Sequence, residues 1–269
     1  MSWTNSSWRS SALTLVLLVL LAACTPLQPQ ERSADPVAAR SNDVFWQSLQ
    51  PGFEGDWHVL LNRGLDALDW RLLAIDSARD SIDIQTFLLE PDALGAAVLE
   101  HLIAAAERGV RVRFLIDDSF LQGRDELIMF VHRHDNMEFR VFNPYQRRTS
   151  NVFTRQILNL AEFSRLDHRM HNKAMIVDGQ VAIVGGRNLA DEYFGLHAEA
   201  NFRDLELLVG GPIVDDISRA FAQYWNDPWS VAIDSLSHVT PEHVSREQLA
   251  QTAAEVAVLH AERDDAALR

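Results

Sequence analysis

Cysteine is almost absent from the sequence, in which Cys24 is the single example. One cysteine excludes an internal disulfide framework and a cysteine-based zinc cluster. The chain also lacks an excess of positive charge, since 24 Lys and Arg stand against 38 Asp and Glu and give a formal net charge of −14. This balance disfavours a nucleic-acid partner, because phosphate backbones are bound by basic surfaces. A fixed-period internal repeat is also missing, which excludes repeat architectures.

Apolar residues are plentiful, at 47% of the 269 residues, and the 23% of charged residues are spread without long blocks. This composition supplies a packed core and argues against a disordered chain. The length suits one large domain or two small ones.

The N-terminus has the pattern of a targeting segment. Residues 12–22 form an apolar run that is short for a membrane span and typical of a signal-peptide core. The string Leu21-Ala22-Ala23-Cys24 resembles the bacterial lipoprotein box, in which the cysteine becomes the lipid-modified first residue. We expect a signal peptide over 1–23 and a lipid anchor at Cys24, on the periplasmic side of the bacterial cell envelope. Thr25, in place of an aspartate, favours the outer membrane. The alternative is an ordinary secretory signal with an incidental cysteine.

Three further regions follow the signal. Residues 24–44 contain three prolines without apolar periodicity and are predicted to be a flexible tether. Residues 45–230 form the predicted folded domain. Residues 231–269 are polar and Ala-rich, and we expect a helix over about 241–262 that is exposed or poorly ordered.

Helical and strand-like patterns alternate through the folded part. The predicted helices cover 66–79, 91–108, 125–134 and 213–225, and the predicted strands cover 81–89, 110–116, 137–142, 173–177, 180–184 and 203–209. This alternation favours an α/β layered fold.

The strands at 173–177 and 180–184 are separated by Asp178-Gly179, which predicts a two-residue hairpin turn of type I′. In that register Val177 pairs with Gln180, and His171 lies opposite Gly186. His171 and Lys173 then share one face, and Asn188 arrives beside them. An imidazole, an ammonium and a carboxamide together suit a phosphoryl centre.

Asp178 is separated from His171 by about 20 Å of extended strand in this arrangement. We therefore interpret Asp178 as structural support in the turn. Asp117-Asp118, at the end of another strand, has two interpretations, a ligand-binding edge or a cap for the residues that follow, and is left unassigned.

These residues resemble the phospholipase D superfamily, whose signature is His-x-Lys-x4-Asp followed after six residues by Gly-(Ser or Gly)-x-Asn. The matching residues here are His171, Lys173, Asp178, Gly185, Gly186 and Asn188. The surrounding strings, including Asp191-Glu192-Tyr193-Phe194 and Phe202-Arg203-Asp204-Leu205-Glu206, are similar to the bacterial cardiolipin synthase branch. The resemblance covers about residues 60–226 and implies a layered fold with a mixed central sheet flanked by helices. Gly186 stands where many members of the superfamily carry serine.

The resemblance also implies a two-step mechanism without metal or other cofactor. A histidine attacks the phosphodiester phosphorus and forms a phosphohistidine, while a histidine from a second copy of the motif protonates the leaving alcohol. Lys173 and Asn188 bind the non-bridging oxygens, and Asp204 matches the carboxylate that orients the motif histidine. The implied activity is transfer or hydrolysis of phospholipids.

This chain has only one His-x-Lys motif. The resemblance therefore implies a single half of the site, and a second half supplied by a homodimer or by a second chain with the motif. Two alternatives are open: an inactive or truncated half-enzyme lipoprotein, and a dimeric nuclease of the same superfamily, which the acidic charge disfavours.

Overall fold

The protein is described by a computed structural model over residues 27–38, 44–49, 55–121, 123–148, 153, 154, 157, 159, 162–236 and 239–267. The predicted signal peptide and Cys24 lie outside the described residues. Within these ranges, every helix is too short or too polar to span a bilayer.

Strands and helices alternate along the chain. The strands are β1 (Trp57–Leu61), β2 (Ser81–Thr86), β3 (Arg111–Asp117), β4 (Met137–Phe142), β5 (Ala174–Val177), β6 (Val181–Gly185), β7 (Glu206–Gly210) and β8 (Ser230–Ala232). The helices are α1 (Val44–Leu49), α2 (Gly64–Ser77), α3 (Ala93–Glu107), α4 (Asp125–His132), α5 (Phe163–Leu166), α6 (Asp191–Phe194), α7 (Ile213–Trp225), α8 (Ile233–Leu236) and α9 (Arg246–Ala267). A short 3₁₀ turn, Asp118–Phe120, follows β3.

All of these strands belong to one mixed sheet, in the order β1-β7-β6-β5-β2-β3-β4-β8. The neighbours β2, β3 and β4 are parallel, and the other pairs are antiparallel. Helices α2, α3 and α9 contribute to the core on one face, and α7 packs on the other. The central strands β2 and β3 are buried because both faces of the sheet are covered. The predicted α/β class, a mixed sheet flanked by helices, is confirmed.

The start of α3 is fixed by two reciprocal carboxylates. Asp92 is the N-cap and accepts the Gly95 N–H (2.9 Å) and the Asp191 N–H (2.7 Å). Asp191 in turn accepts the Leu94 N–H (2.8 Å). The helix is followed by Gly109 at φ +97°, a backbone conformation that glycine adopts readily. Local capping therefore explains why this predicted helix forms.

The predicted register of the hairpin is wrong by one residue, because Val177 lies opposite Val181 and not opposite Gln180. Asp178 and Gly179 do have the positive φ angles of a type I′ turn, +52° and +62°. Gln180 remains in the turn, where its N–H donates to the Val177 carbonyl (3.0 Å). Continuing this register places His171 opposite Arg187 rather than Gly186.

Six elements lack a counterpart in the sequence prediction, namely the helices α1, α5, α6 and α8 and the strands β1 and β8. Strand β7 begins at Glu206, three residues later than expected, because its partner β6 ends at Gly185, opposite Glu206. Strand β8 pairs with β4 and has only three residues, which is too short for an alternating pattern to show.

The segment expected to be a flexible tether is attached to the domain over residues 30–36. The Asp35 carboxylate accepts from Arg140 (2.8 Å) and from the Trp225 indole (2.7 Å), and Arg32 donates to the Ser230 carbonyl (2.7 Å). Arg140 is buried, and a buried guanidinium is stabilised by a paired carboxylate. The expectation of a free tether is therefore wrong for these residues.

The C-terminal helix also packs on the domain, contrary to the expectation that it would be exposed or poorly ordered. Leu249 and Val256 are buried against the main core. Arg246 donates to Glu100 (2.7 Å) and Glu107 (2.9 Å) of α3. A few apolar residues on one face, together with one ion-pair cluster, are enough to attach α9.

Candidate active site

The hairpin of β5 and β6 positions the motif residues at one end of the sheet. His171 and Lys173 immediately precede β5, and Asn188 follows β6 by three residues. The Gly185 N–H donates to the Lys173 carbonyl (3.4 Å), so the two chain segments stay adjacent beyond the strands. The predicted association of His171 and Lys173 with the end of β6 is thus present.

His171 presents an exposed imidazole ring that packs on Phe87. The two ring centroids are 4.7 Å apart and the planes are tilted by 55°. Among the described residues, the imidazole nitrogens have no hydrogen-bond partner. A solvent-accessible ring held by an aromatic contact is free to meet a substrate atom at either nitrogen.

Lys173 is the only lysine in the sequence, and it is 7% exposed. Its ammonium donates to the His171 carbonyl (2.7 Å) and lies 5.1 Å from the centroid of the Phe87 ring, within cation–π range. Burial lowers the pKa of Lys173 to about 8, and the carboxylates of Asp204 and Asp117 act in the opposite direction. The site therefore holds a desolvated amine that is still largely protonated near neutral pH.

Asn188 brings a buried carboxamide to the same region. Its Oδ1 atom is buried and lacks a hydrogen-bond partner in the described part of the chain. An unpaired buried amide group costs about 1–3 kcal/mol, so a ligand that satisfies it gains affinity. Because the two ends of an amide have nearly the same shape, Asn188 is able to offer either a donor or an acceptor here.

Arg187 fixes the segment that carries Asn188. Its guanidinium is buried and donates to the carbonyls of Leu61 (2.9 Å), Asn62 (3.1 Å) and Tyr193 (3.0 Å). These bonds join the Gly-Gly-x-Asn segment to the end of β1 and to α6. Sequence reasoning missed this role, although the residue lies inside the motif.

Gly186 lets the Asp204 carboxylate approach the main chain closely. A Cβ atom built on Gly186 would lie 2.2 Å from Asp204 Oδ1. A serine, which many superfamily members carry at this position, would collide with that carboxylate in this arrangement. A residue larger than glycine at this position therefore requires the Asp204 carboxylate to move.

Asp204 does not make the predicted contact with His171. Its Oδ1 accepts the Leu205 N–H (2.7 Å), and the described residues include no hydrogen bond between this carboxylate and the imidazole. Asp204 precedes β7, and its carboxylate lies beside Gly186 and the first residues before that strand. Its influence on the site is electrostatic, through Lys173.

Asp178 occupies the hairpin turn and is 0% exposed. Its carboxylate accepts backbone N–H groups of Arg79 (3.0 Å), Asp80 (2.8 Å) and Ser81 (2.8 Å). Asp178, the aspartate of the motif, thus connects the hairpin turn to the start of β2 and has a structural role, as predicted from its separation from His171.

Phosphate oxygens are the natural ligands of this group of side chains. An ammonium and a carboxamide supply hydrogen bonds to anionic oxygens, and both act more strongly in a partly desolvated site. The described residues contain no group of three or more His, Cys, Asp or Glu arranged to hold a metal ion.

Comparison with known proteins defines the class. Residues 72–225 match the family described as "Cardiolipin synthase, PLD-like domain". The chain belongs to this family, within the phospholipase D superfamily and its cardiolipin synthase-like branch, as the sequence predicts.

Individual relatives agree with this assignment. Cardiolipin synthase C of Escherichia coli (strain K12) is 41% identical over 165 residues, which cover 61% of this chain and 34% of that protein. An uncharacterized protein of Helicobacter pylori (strain ATCC 700392 / 26695) is 34% identical over 236 residues, covering 88% of this chain and 45% of that protein. The chain thus spans less than half the length of these relatives.

The fold is also shared with a solved structure, the phosphatidylserine synthase of Haemophilus influenzae Rd KW20. The two structures superpose with a TM-score of 0.51 at 14% identity, over 74% of this chain and 43% of the other. At this level of identity the likeness concerns the fold alone.

Proposed function

We propose that the protein catalyses phospholipase D-type transfer or hydrolysis of a phospholipid phosphodiester through a phosphohistidine on His171. The observation that carries the proposal is an exposed imidazole two residues from a buried lysine amine that donates to the His171 carbonyl, with the buried, unpaired Asn188 Oδ1 on the segment that follows the adjacent strand β6. The relationship to cardiolipin synthases supports phospholipid as the substrate class.

The chemistry has two displacements at phosphorus. A ring nitrogen of His171 attacks, a P–N bond forms, and the P–O bond to the leaving alcohol breaks as a second histidine donates a proton to that oxygen. An acceptor alcohol, or water, then gives its proton to the second histidine and attacks phosphorus, and the P–N bond breaks. Lys173 and Asn188 bind the non-bridging oxygens, where negative charge develops.

The second histidine is proposed to come from a homodimer or from another chain with the motif, because this sequence has a single His-x-Lys. Lipidation of Cys24 is part of the proposal. It would hold the site against an envelope membrane, facing the periplasm, with the outer membrane favoured by Thr25. Mass spectrometry of the N-terminal peptide, with Cys24→Ala as the unmodified reference, tests this anchor.

Incubation of the purified, detergent-solubilised protein with phosphatidylglycerol and phosphatidylethanolamine, followed by lipid chromatography, tests the activity. We expect cardiolipin, phosphatidic acid or a released headgroup, and loss of these products in His171→Ala. His101→Ala is the matched control, since His101 lies on α3, paired with Asp76 (2.7 Å). A wild-type protein whose products equal those of His171→Ala would refute catalysis by this chain alone.

A further inference from the structure

Asp117, at the carboxyl end of β3, holds the main chain directly in front of the site. It is 0% exposed, and its Oδ2 accepts the Met170 N–H (2.9 Å). Its Oδ1 accepts from the Ser119 N–H (2.8 Å) and hydroxyl (2.6 Å). Because Met170 is the residue before His171, this bond helps to fix the main-chain position from which the imidazole side chain projects.

The neighbouring strand supports the same segment. Asn143, which follows β4, donates through Nδ2 to the carbonyls of Arg165 (2.8 Å) and His168 (2.6 Å). Arg169 joins the two supports, since its Nη1 donates to the Asn143 carbonyl (2.9 Å) and lies 3.5 Å from Asp117 Oδ1. The ends of two parallel strands thus hold the chain from residue 165 to residue 170.

Asp117 also acts on the ammonium group of the site. Its negative charge favours the protonated form of Lys173, as does that of Asp204. The Lys173 ammonium donates to the His171 carbonyl. A small cavity beside Lys173 is also lined by the charged Arg71 and Arg187 and by the neutral Gln85 and Thr86.

We propose that Asp117 is a positioning residue that fixes the main chain preceding His171, with Asn143 and Arg169 as its partners. The proposal depends on the proposed function only for its kinetic consequences. The geometric part, and the electrostatic effect of Asp117 on Lys173, concern this chain's own residues and are measurable without turnover.

The test compares Asp117→Asn with Asp83→Asn in the full chain. Asp83 is a matched control because it is also a buried strand carboxylate paired with an arginine, Arg113, at 2.6 Å through both oxygens. Selective lysine labelling gives one side-chain NMR signal, because Lys173 is the only lysine. Histidine labelling, assigned with His171→Ala, reports on the imidazole.

We expect Asp117→Asn to lower the pKa of Lys173 further and to shift the His171 resonances, while Asp83→Asn lowers stability but leaves both signals in place. If turnover is present, Asp117→Asn should reduce kcat by about tenfold with KM changed less than about twofold. An Asp117→Asn protein that loses stability yet keeps the wild-type His171 and Lys173 signals would overturn the proposal.

If Asp117→Asn fails to fold, Arg169→Gln decides, because it removes the link between Asp117 and Asn143 while keeping the buried carboxylate. We expect it to shift the His171 resonances in the same way, to a smaller extent. Unchanged resonances in that variant would reject the positioning role. If the wild type shows no turnover and the variants still show the expected NMR shifts, the proposed function is contradicted and the positioning role of Asp117 is supported.

Discussion

Lys173 supplies the positive charge of the candidate site. The other 23 basic residues among the 24 Lys and Arg are arginines, and none of them belongs to the His-x-Lys pair. Burial lowers the pKa of Lys173 to about 8, and nearby carboxylates limit that decrease. Since only the protonated amine binds an anionic oxygen as a charged donor, ligand binding is linked to this titration.

We expect turnover and phosphate binding to decline as pH rises through about 8, because the amine loses its proton there. The lysine-selective NMR signal should titrate near that pH, well below the value of about 10.4 for an exposed lysine. Lys173→Arg should abolish the alkaline decline, since arginine stays charged. A lysine signal that titrates above about pH 10 would contradict the desolvated placement.

Gly186 provides a steric prediction at the same scale. Gly186→Ser should destabilise the protein by only about 1 kcal/mol or less, because the new Cβ meets the Asp204 carboxylate, which is the movable end of a partly exposed side chain. Urea unfolding measures the change. Gly186→Ser combined with Asp204→Gly should recover much of the loss, which makes the pair a double-mutant cycle. If Gly186→Ser lowers the free energy of unfolding equally in the wild type and in the Asp204→Gly background, the Asp204 carboxylate is not the obstacle.

The residues of the candidate site were predictable from the sequence where they belong to the same hairpin. His171, Lys173 and Asn188 lie within a short stretch, so strand periodicity and motif spacing identify them together. Phe87 contacts His171 from the end of β2, and Asp117 contacts Met170 across 53 positions of sequence. Such contacts depend on strand order, for which a single sequence has no local signal.

At the scale of elements, local sequence signals predict whether a segment is a helix or a strand better than they predict the pairing register of two strands. Helix α7 has the predicted bounds, and α3 agrees within two residues, because apolar spacing and caps are local. The hairpin register depends instead on how the turn packs, and Asp178 binds three N–H groups located 97 to 99 positions earlier. Such a long-range contact has no local signal in the sequence.

The cap of α3 predicts a pH-dependent stability. Burial raises the pKa of Asp92 to about 6, despite the N–H groups of Asp191 and Gly95, and the Asp191 and Glu192 carboxylates act in the same direction as burial. The folded state therefore binds this proton more tightly than the unfolded state, whose value is about 3.9. The free energy of unfolding contributed by Asp92 is greatest below that value and falls as pH rises through about 6.

Asp92→Asn should remove this dependence while retaining a good capping residue. From about pH 4 to pH 7, the unfolding free energy of the wild type should decrease by about 1 kcal/mol relative to the variant, after allowance for partial exposure. Urea unfolding of both proteins across that range checks the prediction. A constant difference between them would mean that Asp92 titrates normally.

At the scale of the whole molecule, both ends of the described chain close on the domain. Arg32 contacts Ser230 across 198 positions, and α9 packs on α3. The sequence predicts the layered α/β class through alternation, yet it offers no pattern for these attachments. Residues 30–36 are held by a few polar contacts, and α9 is held by a few apolar residues and one ion-pair cluster. His171 is exposed on the domain, and the proposed function requires a second copy of the motif to complete the site.

Subunit mixing tests whether two copies share one catalytic centre. If each centre needs His171 from both members of a two-fold pair, wild type equilibrated with equal His171→Ala should retain about a quarter of the undiluted activity, against about half for independent chains. Wild type mixed with His101→Ala should keep full activity, since His101 lies on α3 away from the imidazole. Sedimentation at the assay concentration must show dimers, and native mass spectrometry with one isotope-labelled partner must show mixed dimers. A linear dependence on the wild-type fraction, with dimers present, would contradict the shared centre and favour a site completed by a different chain.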